Sequence, residues 1–188
     1  MPARLKEYHE VFSGNVIAQN RLKGVGFLSR EEAINYGVTG PSGRGSGWAC
    51  DVRKRSPYAA YDKVQFDEVL YNEGDSYARY MVRMKEIEQS LHILEQLVDN
   101  IPEGDYLAKT KPIIKVPEGR YFKEVEAARG AFGIYLESRG DKFPYRLKVN
   151  SPGFNLVGAV DHMTRGSKIA DLIAIGGSLD YVVPDIDR

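Results

Sequence analysis

The residues best suited to chemistry stand at the carboxyl end of the chain. Asp180, Asp185 and Asp187 alternate there with apolar side chains, and Arg188 is the last residue. Carboxylates beside apolar walls are costly unless they are paired, so such a pattern indicates a binding site or a docking surface. Chain termini are usually polar and frayed, whereas apolar residues continue here as far as Ile186. We therefore expect the tail to fold back into a core; the alternative is an ion-paired tail that only locks the terminus to the body.

A second set of charges forms a local basic cluster, which comprises Arg44, Arg53, Lys54 and Arg55. One interpretation is a solvated face, and the other is docking to acidic groups of another subunit. Aromatic residues lie between and after these charges in the sequence. Protein interfaces and sites for single-stranded nucleic acid both combine aromatic with basic side chains. These aromatic residues are Trp48, Tyr58 and Tyr61. Because 26 basic residues balance 26 acidic ones, we expect no nucleic-acid partner.

The glycine-rich stretch 37–57 contains this cluster and predicts a long loop without regular structure. Free backbone N–H groups in such a loop could bind an anion. No Gly-Lys-Ser/Thr sequence follows the glycines, however, so the stretch does not match a phosphate-binding loop. The alternative is a tight connection that threads between packed elements.

Cysteine and histidine usage argues against a metal centre in this chain. Cys50 is the only cysteine, so the chain cannot supply the roughly four thiolates that hold an iron–sulfur cluster. His9, His92 and His162 lie far apart and lack the spacing of metal ligands. We predict that each histidine is either hydrogen-bonded within the fold or exposed, and that the chain binds no metal.

The pattern of elements predicts an α+β fold, mainly helical, with a small antiparallel sheet in the C-terminal half. Residues 1–100 should be mainly helical, with the loop at 37–57, and residues 120–188 should hold the sheet, further helices and the inward tail. No apolar run approaches the ~20 residues that span a bilayer, so we expect a soluble protein or one that is peripheral to a membrane through partners. The predicted helices are 3–12, a helix from the capping-box sequence at Ser29 to Gly37, 76–99 with Asp75 as its cap, and two short helices within 155–175. The predicted strands are 123–137 and 145–149, with a turn at 138–144.

Several separate motifs, in one order along the chain, resemble the D-type subunit of respiratory complex I, the NADH:quinone oxidoreductase. The tail 175–188, Ile-Gly-Gly-Ser-Leu-Asp-Tyr-Val-Val-Pro-Asp-Ile-Asp-Arg, is similar to the Ile-Leu-Gly-Ser-x-Asp-Ile-Val-x-Gly-Glu-Val-Asp-Arg ending of that family. The other matching motifs are Gly37–Gly47, Asp51–Lys54, Pro57-Tyr58, Tyr61-Asp62, Gly74–Arg79 and Pro144–Lys148.

This resemblance implies part of the fold shared with the large subunits of nickel–iron hydrogenases, without their metal-binding Cys-x-x-Cys pairs. It implies a role in the quinone-reducing subunit of a proton-pumping assembly, with quinone as the substrate. The 4Fe–4S cluster and the FMN would lie in partner subunits, so no cofactor is expected in this chain. The expected neighbours are the B-type iron–sulfur subunit and the C-type subunit, on the cytoplasmic side of a bacterial inner membrane.

Residue by residue, the resemblance makes Asp180, Val182, Asp185 and Arg188 candidates for lining the quinone chamber, and it assigns no catalytic residue. Asp185 stands where the family has Glu, and Pro184 where it has Gly. Family members are about twice as long, and their head-group-binding His and Tyr lie in an N-terminal half that this sequence does not contain. We therefore expect the chain to be the C-terminal part of the subunit and to be inactive alone.

Two other functions stay open at this stage. One is a non-catalytic interaction module that keeps the fold and the docking surface without the chemistry. The other is a subunit of a related membrane-bound assembly that is fed by ferredoxin or by another reduced cofactor. The resemblance implies that the D-type subunit does not bind the electron donor, so this chain cannot distinguish an assembly fed by NADH from one fed by another donor.

Overall fold

The computed structural model describes residues 1–186, and it confirms a helical protein with one small antiparallel sheet. The helices are α1 (Pro2–Tyr8), which continues as a π-helical turn (His9–Ser13), α2 (Val16–Leu22), α3 (Arg30–Tyr36), α4 (Gly40–Arg44), α5 (Val52–Arg55), α6 (Ser76–Leu97), which ends in a 3-10 turn (Val98–Asn100), α7 (Pro152–Gly158), α8 (Val160–Thr164), α9 (Ile169–Leu179) and α10 (Val183–Ile186). The strands are β1 (Gly119–Ala127), β2 (Gly130–Ser138) and β3 (Arg146–Asn150).

The helix boundaries that rest on capping residues are confirmed. Ser29 and Glu32 form a capping box, in which the Ser29 side chain accepts from the Glu32 N–H and the Glu32 side chain accepts from the Ser29 N–H. Gly37 ends α3 in the left-handed conformation, with φ of 68°. Asp75 caps the longest helix, because its carboxylate accepts from the N–H of Ala78 at 2.7 Å.

The prediction of an irregular loop over 37–57 was wrong, because two short helices form within it. Gly40 starts α4 at φ of 69°, and Pro41 stands in its first turn, where a missing N–H costs nothing. Asp51 caps α5 by accepting from the N–H of Arg53 at 2.9 Å. Glycines thus allow the sharp entry and exit of α4, whereas a side-chain cap starts α5.

The prediction of one strand over 123–137 was also wrong, because the chain reverses within it. β1 and β2 pair antiparallel from Gly119–Ser138 to Ala127–Gly130, and only Ala128 and Arg129 form the turn. β3 adds to the other side of β2, which gives the order β1-β2-β3. The predicted connection after Ser138 is confirmed, and it leads into β3.

The main core joins the C-terminal helices to the segment around α3. Eight buried residues form it, and burying a side chain of the Leu or Ile type contributes about 1.5–3 kcal/mol. They are Leu28, Ala33, Val38, Leu156, Ala159, Met163, Ile175 and Leu179. A smaller cluster of Val64, Phe66 and Ile93 lies beside the second half of α6. The core therefore fixes α7, α8 and α9, which carry the C-terminal segment.

The stretch before the sheet is a surface connection, because residues 101–115 are all exposed and form no helix or strand. Ser138 Oγ donates to the Val116 carbonyl at 2.7 Å and ties the end of this segment to β2. Within residues 1–186, no helix combines the length and the apolar character that crossing a membrane requires.

Candidate functional site

The C-terminal segment leaves α9 through a sharp reversal at Asp180. This residue ends the helix in the left-handed conformation, with φ of 57° and ψ of 34°, which Asp tolerates better than most side chains. Leu179, one position earlier, is completely buried. The burial of Leu179 and the turn at Asp180 together send the chain back along the surface of the molecule. None of residues 181–186 is buried, so the prediction that the tail folds back into a core was wrong for this part of the chain.

Two arginines from distant elements meet this reversal. Arg129, in the turn between β1 and β2, donates from Nε to the Asp180 carbonyl at 2.5 Å, and its Nη2 lies 3.6 Å from Asp180 Oδ1. Arg83, on α6, donates from Nη2 to the Leu179 carbonyl at 3.3 Å. Carbonyls at a helix end have no intrahelical partner and favour a cation, so both contacts stabilise the end of α9.

Burial changes the electrostatics of Arg83. Removal from water lowers the pKa of its guanidinium, and the nearby Asp180 carboxylate opposes that shift. Asp180 itself keeps about half of its side chain exposed, at 47%. The carboxylate thus faces solvent on one side and two guanidinium groups on the other, so it could accept a hydrogen bond from a ligand.

The rest of the segment is anchored at Asp185. Its Oδ2 accepts from the backbone N–H of Gly153 at 3.0 Å, at the start of α7. Val182 is half-buried, whereas Tyr181 and Val183 are exposed. Of the candidate chamber residues, the structure therefore brings Asp180, Val182 and Asp185 into one short segment, while Arg188 and its neighbour Asp187 lie outside the described residues.

Arg79 holds α6 against α9 beneath this segment. Its guanidinium donates to the carbonyls of Gly26 and Gly74 at 2.9 and 3.0 Å, and Nε donates to Ser178 Oγ at 2.9 Å. The side chain is fully buried, and burial lowers its pKa. A single arginine thus links the turn before α3, the start of α6 and the end of α9.

Arg44 was predicted to belong to a surface cluster, and this prediction was wrong. Its side chain is 1% exposed, with Nη2 lying 2.6 Å from Glu86 Oε1 and Nη1 lying 2.7 Å from Glu126 Oε1. Burial alone would lower the pKa of Arg44, but the two carboxylates raise it above its ordinary value. Arg44 is therefore an internal cross-link between α4, α6 and β1, because a buried charge must be paired.

The other members of the basic cluster lie at the surface or near it. Arg53 is half-buried and binds Asp51, with Nη2 at 2.6 Å from Oδ2. Burial alone would raise the pKa of Asp51, but the hydrogen bonds from Arg53 lower it. Lys54 is exposed with its ammonium over the Phe66 ring, and Arg55 binds Glu124 at 2.5 Å. Lys54 and Arg55 are therefore the exposed members of the cluster.

Cysteine and histidine side chains take no part in the C-terminal segment. Cys50 is buried, and burial raises the pKa of its thiol to about 12. His9 Nδ1 lies 2.8 Å from Ser13 Oγ, and His162 Nε2 lies 2.7 Å from Glu32 Oε1. His92 is exposed, so the prediction that each histidine is hydrogen-bonded or exposed is confirmed. In residues 1–186, no three His, Cys, Asp or Glu side chains are grouped so that they could hold a metal ion.

Sequence reasoning missed the three arginines that organise the site, Arg79, Arg83 and Arg129. Arg79 and Arg83 lie on α6, whose buried residues include Ala78 and Val82. Their partners Ser178 and Leu179 come 99 and 96 positions later in the chain, so no local pattern indicates these contacts. Arg129 had no signal either, because its turn was predicted to be the middle of a strand.

Comparison with known proteins defines the class to which this arrangement belongs. The family model of the respiratory-chain NADH dehydrogenase 49 kDa subunit matches residues 1–114 and 110–188. The chain therefore belongs to the 49 kDa subunit family of respiratory-chain NADH dehydrogenases.

Individual relatives cover nearly the whole chain. The C/D subunit of an NADH-quinone oxidoreductase from Phocaeicola vulgatus is 69% identical over 98% of this chain and 36% of its own length. The D subunits of the NADH-quinone oxidoreductases from Desulfotalea psychrophila and Bacillus cytotoxicus are 52% and 44% identical over 100% of this chain and 51% of their own lengths. The chain thus spans about one third to one half of the curated relatives that it matches.

Proposed function

We propose that this chain is the C-terminal part of the quinone-reducing subunit of an NADH:quinone oxidoreductase, and that its C-terminal segment helps to line the quinone chamber. The family and the names of the relatives support the assembly. The single structural observation that supports the site is the Asp180–Ile186 segment, where a half-exposed carboxylate stands next to apolar side chains. Small-molecule sites commonly combine such an apolar wall with a few placed polar groups.

In this proposal, Asp180 supplies the polar contact and Val182 the apolar wall. Asp185 fixes the segment through Gly153 and need not touch the quinone. Reduction of a quinone to a quinol takes up two electrons and two protons. The electrons would come from the 4Fe–4S cluster of the B-type subunit, and the flavin and the NADH site would lie farther along the same assembly.

Exposed apolar residues on α7, α9 and α10 support contact with partner subunits. Ile169 and Ile173 on α9 are 91% and 82% exposed, and Val183 is 67% exposed. Phe154, on the neighbouring α7, is 67% exposed. Large exposed apolar side chains are typical of covered surfaces in an assembly when they form one patch. We infer that the B-type subunit contacts these helices and the C-type subunit lies nearby, with the chain peripheral, through its partners, to the cytoplasmic face of a bacterial inner membrane.

Photo-crosslinking tests this function directly. A quinone with a photoreactive group on its ring would be illuminated with the complete membrane-bound oxidoreductase, and the modified peptides would be mapped by mass spectrometry. We expect label within residues 180–186, and we expect excess unmodified quinone to remove it. Label that is confined to other segments would contradict the proposed chamber role.

A non-catalytic docking module is the second candidate, and the exposed Lys54 and Arg55 favour it. In that case the chain would hold partners together without reaching the quinone. Charge reversal of both residues would then weaken assembly of the complex, while the crosslinked quinone would leave residues 180–186 unlabelled.

A further inference from the structure

Two successive carbonyls at the end of α9 are each bound by an arginine from a different part of the fold. Arg129 binds the carbonyl of Asp180, and Arg83 binds the carbonyl of Leu179. We propose that Arg83 and Arg129 are positioning residues for quinone reduction, because they set the direction in which the Asp180–Ile186 segment leaves α9. This inference rests on the proposed function, and it concerns residues that the family resemblance does not assign to the chamber.

Arg129 can serve as a fixed point because its own turn is locked in place. Gly40 and Gly130 approach so closely that a Cβ on Gly40 would lie 2.5 Å from the Gly130 Cα. The N–H of Ala131 also donates to Thr39 Oγ1 at 2.9 Å. The turn therefore cannot slide against α4, and the guanidinium that extends from it reaches Asp180 from a defined position.

Arg83 is fixed from the opposite side. Its Nη1 donates to the carbonyl of Arg79 on the same helix at 2.9 Å, so the side chain lies along α6. Arg79 in turn binds Ser178, two residues before Asp180, at 2.9 Å. These contacts hold α6 and α9 in one register, and they leave Nη2 of Arg83 pointing at the end of α9.

Asp180 needs this support because its backbone lies in a strained region. A residue with a Cβ takes up a positive φ at an energetic cost, and it stays there only when its surroundings hold it. The φ of Asp180 is 57°. Without Arg129, both its carbonyl and its carboxylate lose their partner, so the reversal can relax and carry Tyr181–Ile186 away from its place.

The test uses the complete oxidoreductase in membrane vesicles, with Arg129→Gln, Arg129→Lys, Arg83→Gln and Arg83→Lys in the corresponding full-length subunit. NADH oxidation would be measured with a short-chain ubiquinone and, separately, with ferricyanide, which accepts electrons before the quinone site. We expect each Gln variant to raise the KM for quinone about tenfold or more, because small misplacements of a site are costly, and to change kcat less. Each Lys variant should recover part of the loss, and ferricyanide activity should stay unchanged.

Arg165→Gln is the matched control, because Arg165 pairs only with Asp161 on the exposed side of α8 among the described residues. It should leave both activities unchanged. Immunoblots of the subunit would report assembly, and loss of the subunit from the membrane in all four variants would show a purely structural role and overturn the proposal. Normal quinone kinetics in the Gln variants, together with impaired kinetics in Asp180→Ala, would overturn the positioning role and leave the proposed function standing. Normal quinone kinetics in the Gln variants and in Asp180→Ala would contradict both the positioning role and the proposed function.

Discussion

Gly153 donates its backbone N–H to the carboxylate of Asp185 over 3.0 Å, and this bond ties the last helix to the first turn of α7. The two residues touch so closely that a Cβ on Gly153 would lie 2.4 Å from Asp185 Oδ2. Space rather than backbone conformation favours glycine here, since Gly153 does not have a positive φ. A methyl group at this position would displace the Asp185 side chain and break its hydrogen bond to the backbone.

The first prediction follows from that contact. Gly153→Ala should push the Asp185 side chain away and cost about 1–3 kcal/mol, as overpacking of a tight contact usually does. Gly158→Ala, in the same helix, meets nothing within 4 Å of its new Cβ and should change stability by less than about 1 kcal/mol. Urea unfolding of the two variants measures the difference. Equal midpoints would show that the Asp185 contact does not hold the segment.

The second prediction concerns the buried arginine of α4. Arg44→Gln would leave the carboxylates of Glu86 and Glu126 near each other without their shared cation. Breaking a buried pair in this way costs about 3–5 kcal/mol, and the free energy of unfolding in urea should fall accordingly. Arg165→Gln, on the exposed surface, should not shift the unfolding midpoint. A loss in Arg44→Gln no larger than in that control would contradict the internal cross-link.

The structure also explains which sequence-based predictions succeeded. Ser29, Gly37 and Asp75 act on backbone groups within a few residues, so their capping roles could be predicted from local sequence alone. The apolar pattern of α6 likewise predicted a helix over 76–99, and α6 runs to Leu97. Local chemistry determined these boundaries, and long-range packing did not change them.

Predictions failed where distant partners decide the outcome. Arg44 looked exposed because its neighbours in sequence are polar and glycine-rich, while Glu86 and Glu126 come much later in the chain. The turn at Ala128 and Arg129 was missed because β-branched and aromatic residues flank it on both sides, and only Gly130 marks it. The arginines that meet Asp180 could not be predicted for the same reason, since the fold alone brings them together.

The third prediction concerns the only cysteine. Burial raises the pKa of the Cys50 thiol from its ordinary value of 9.0 to about 12. The thiolate is the reactive form, so iodoacetamide at pH 8 should not modify Cys50 in the folded chain. It should modify Cys50 fully in about 6 M urea, which unfolds most small domains. Mass spectrometry counts the added group. Rapid modification without urea would contradict the burial of Cys50.

The same thiol predicts how stability depends on alkaline pH. Its pKa is higher in the folded chain than in the unfolded chain, so the unfolded chain releases the proton first as the pH rises. The contribution to stability is therefore complete below about pH 9 and is lost between about pH 9 and pH 12, at up to about 1.4 kcal/mol per pH unit. Cys50→Ala should flatten this part of the curve of unfolding free energy against pH.

The most direct test of the central claim is Asp180→Ala in the complete, membrane-bound oxidoreductase. NADH:quinone activity and NADH:ferricyanide activity would be measured on the same vesicles, with the amount of subunit checked by immunoblot. We expect quinone reduction to fall at least about tenfold, because the polar contact is lost and alanine tolerates the left-handed conformation less well than aspartate, while ferricyanide reduction stays at the level of the unmodified complex. Unchanged KM and kcat for quinone in this variant would contradict the placement of the C-terminal segment at the quinone chamber.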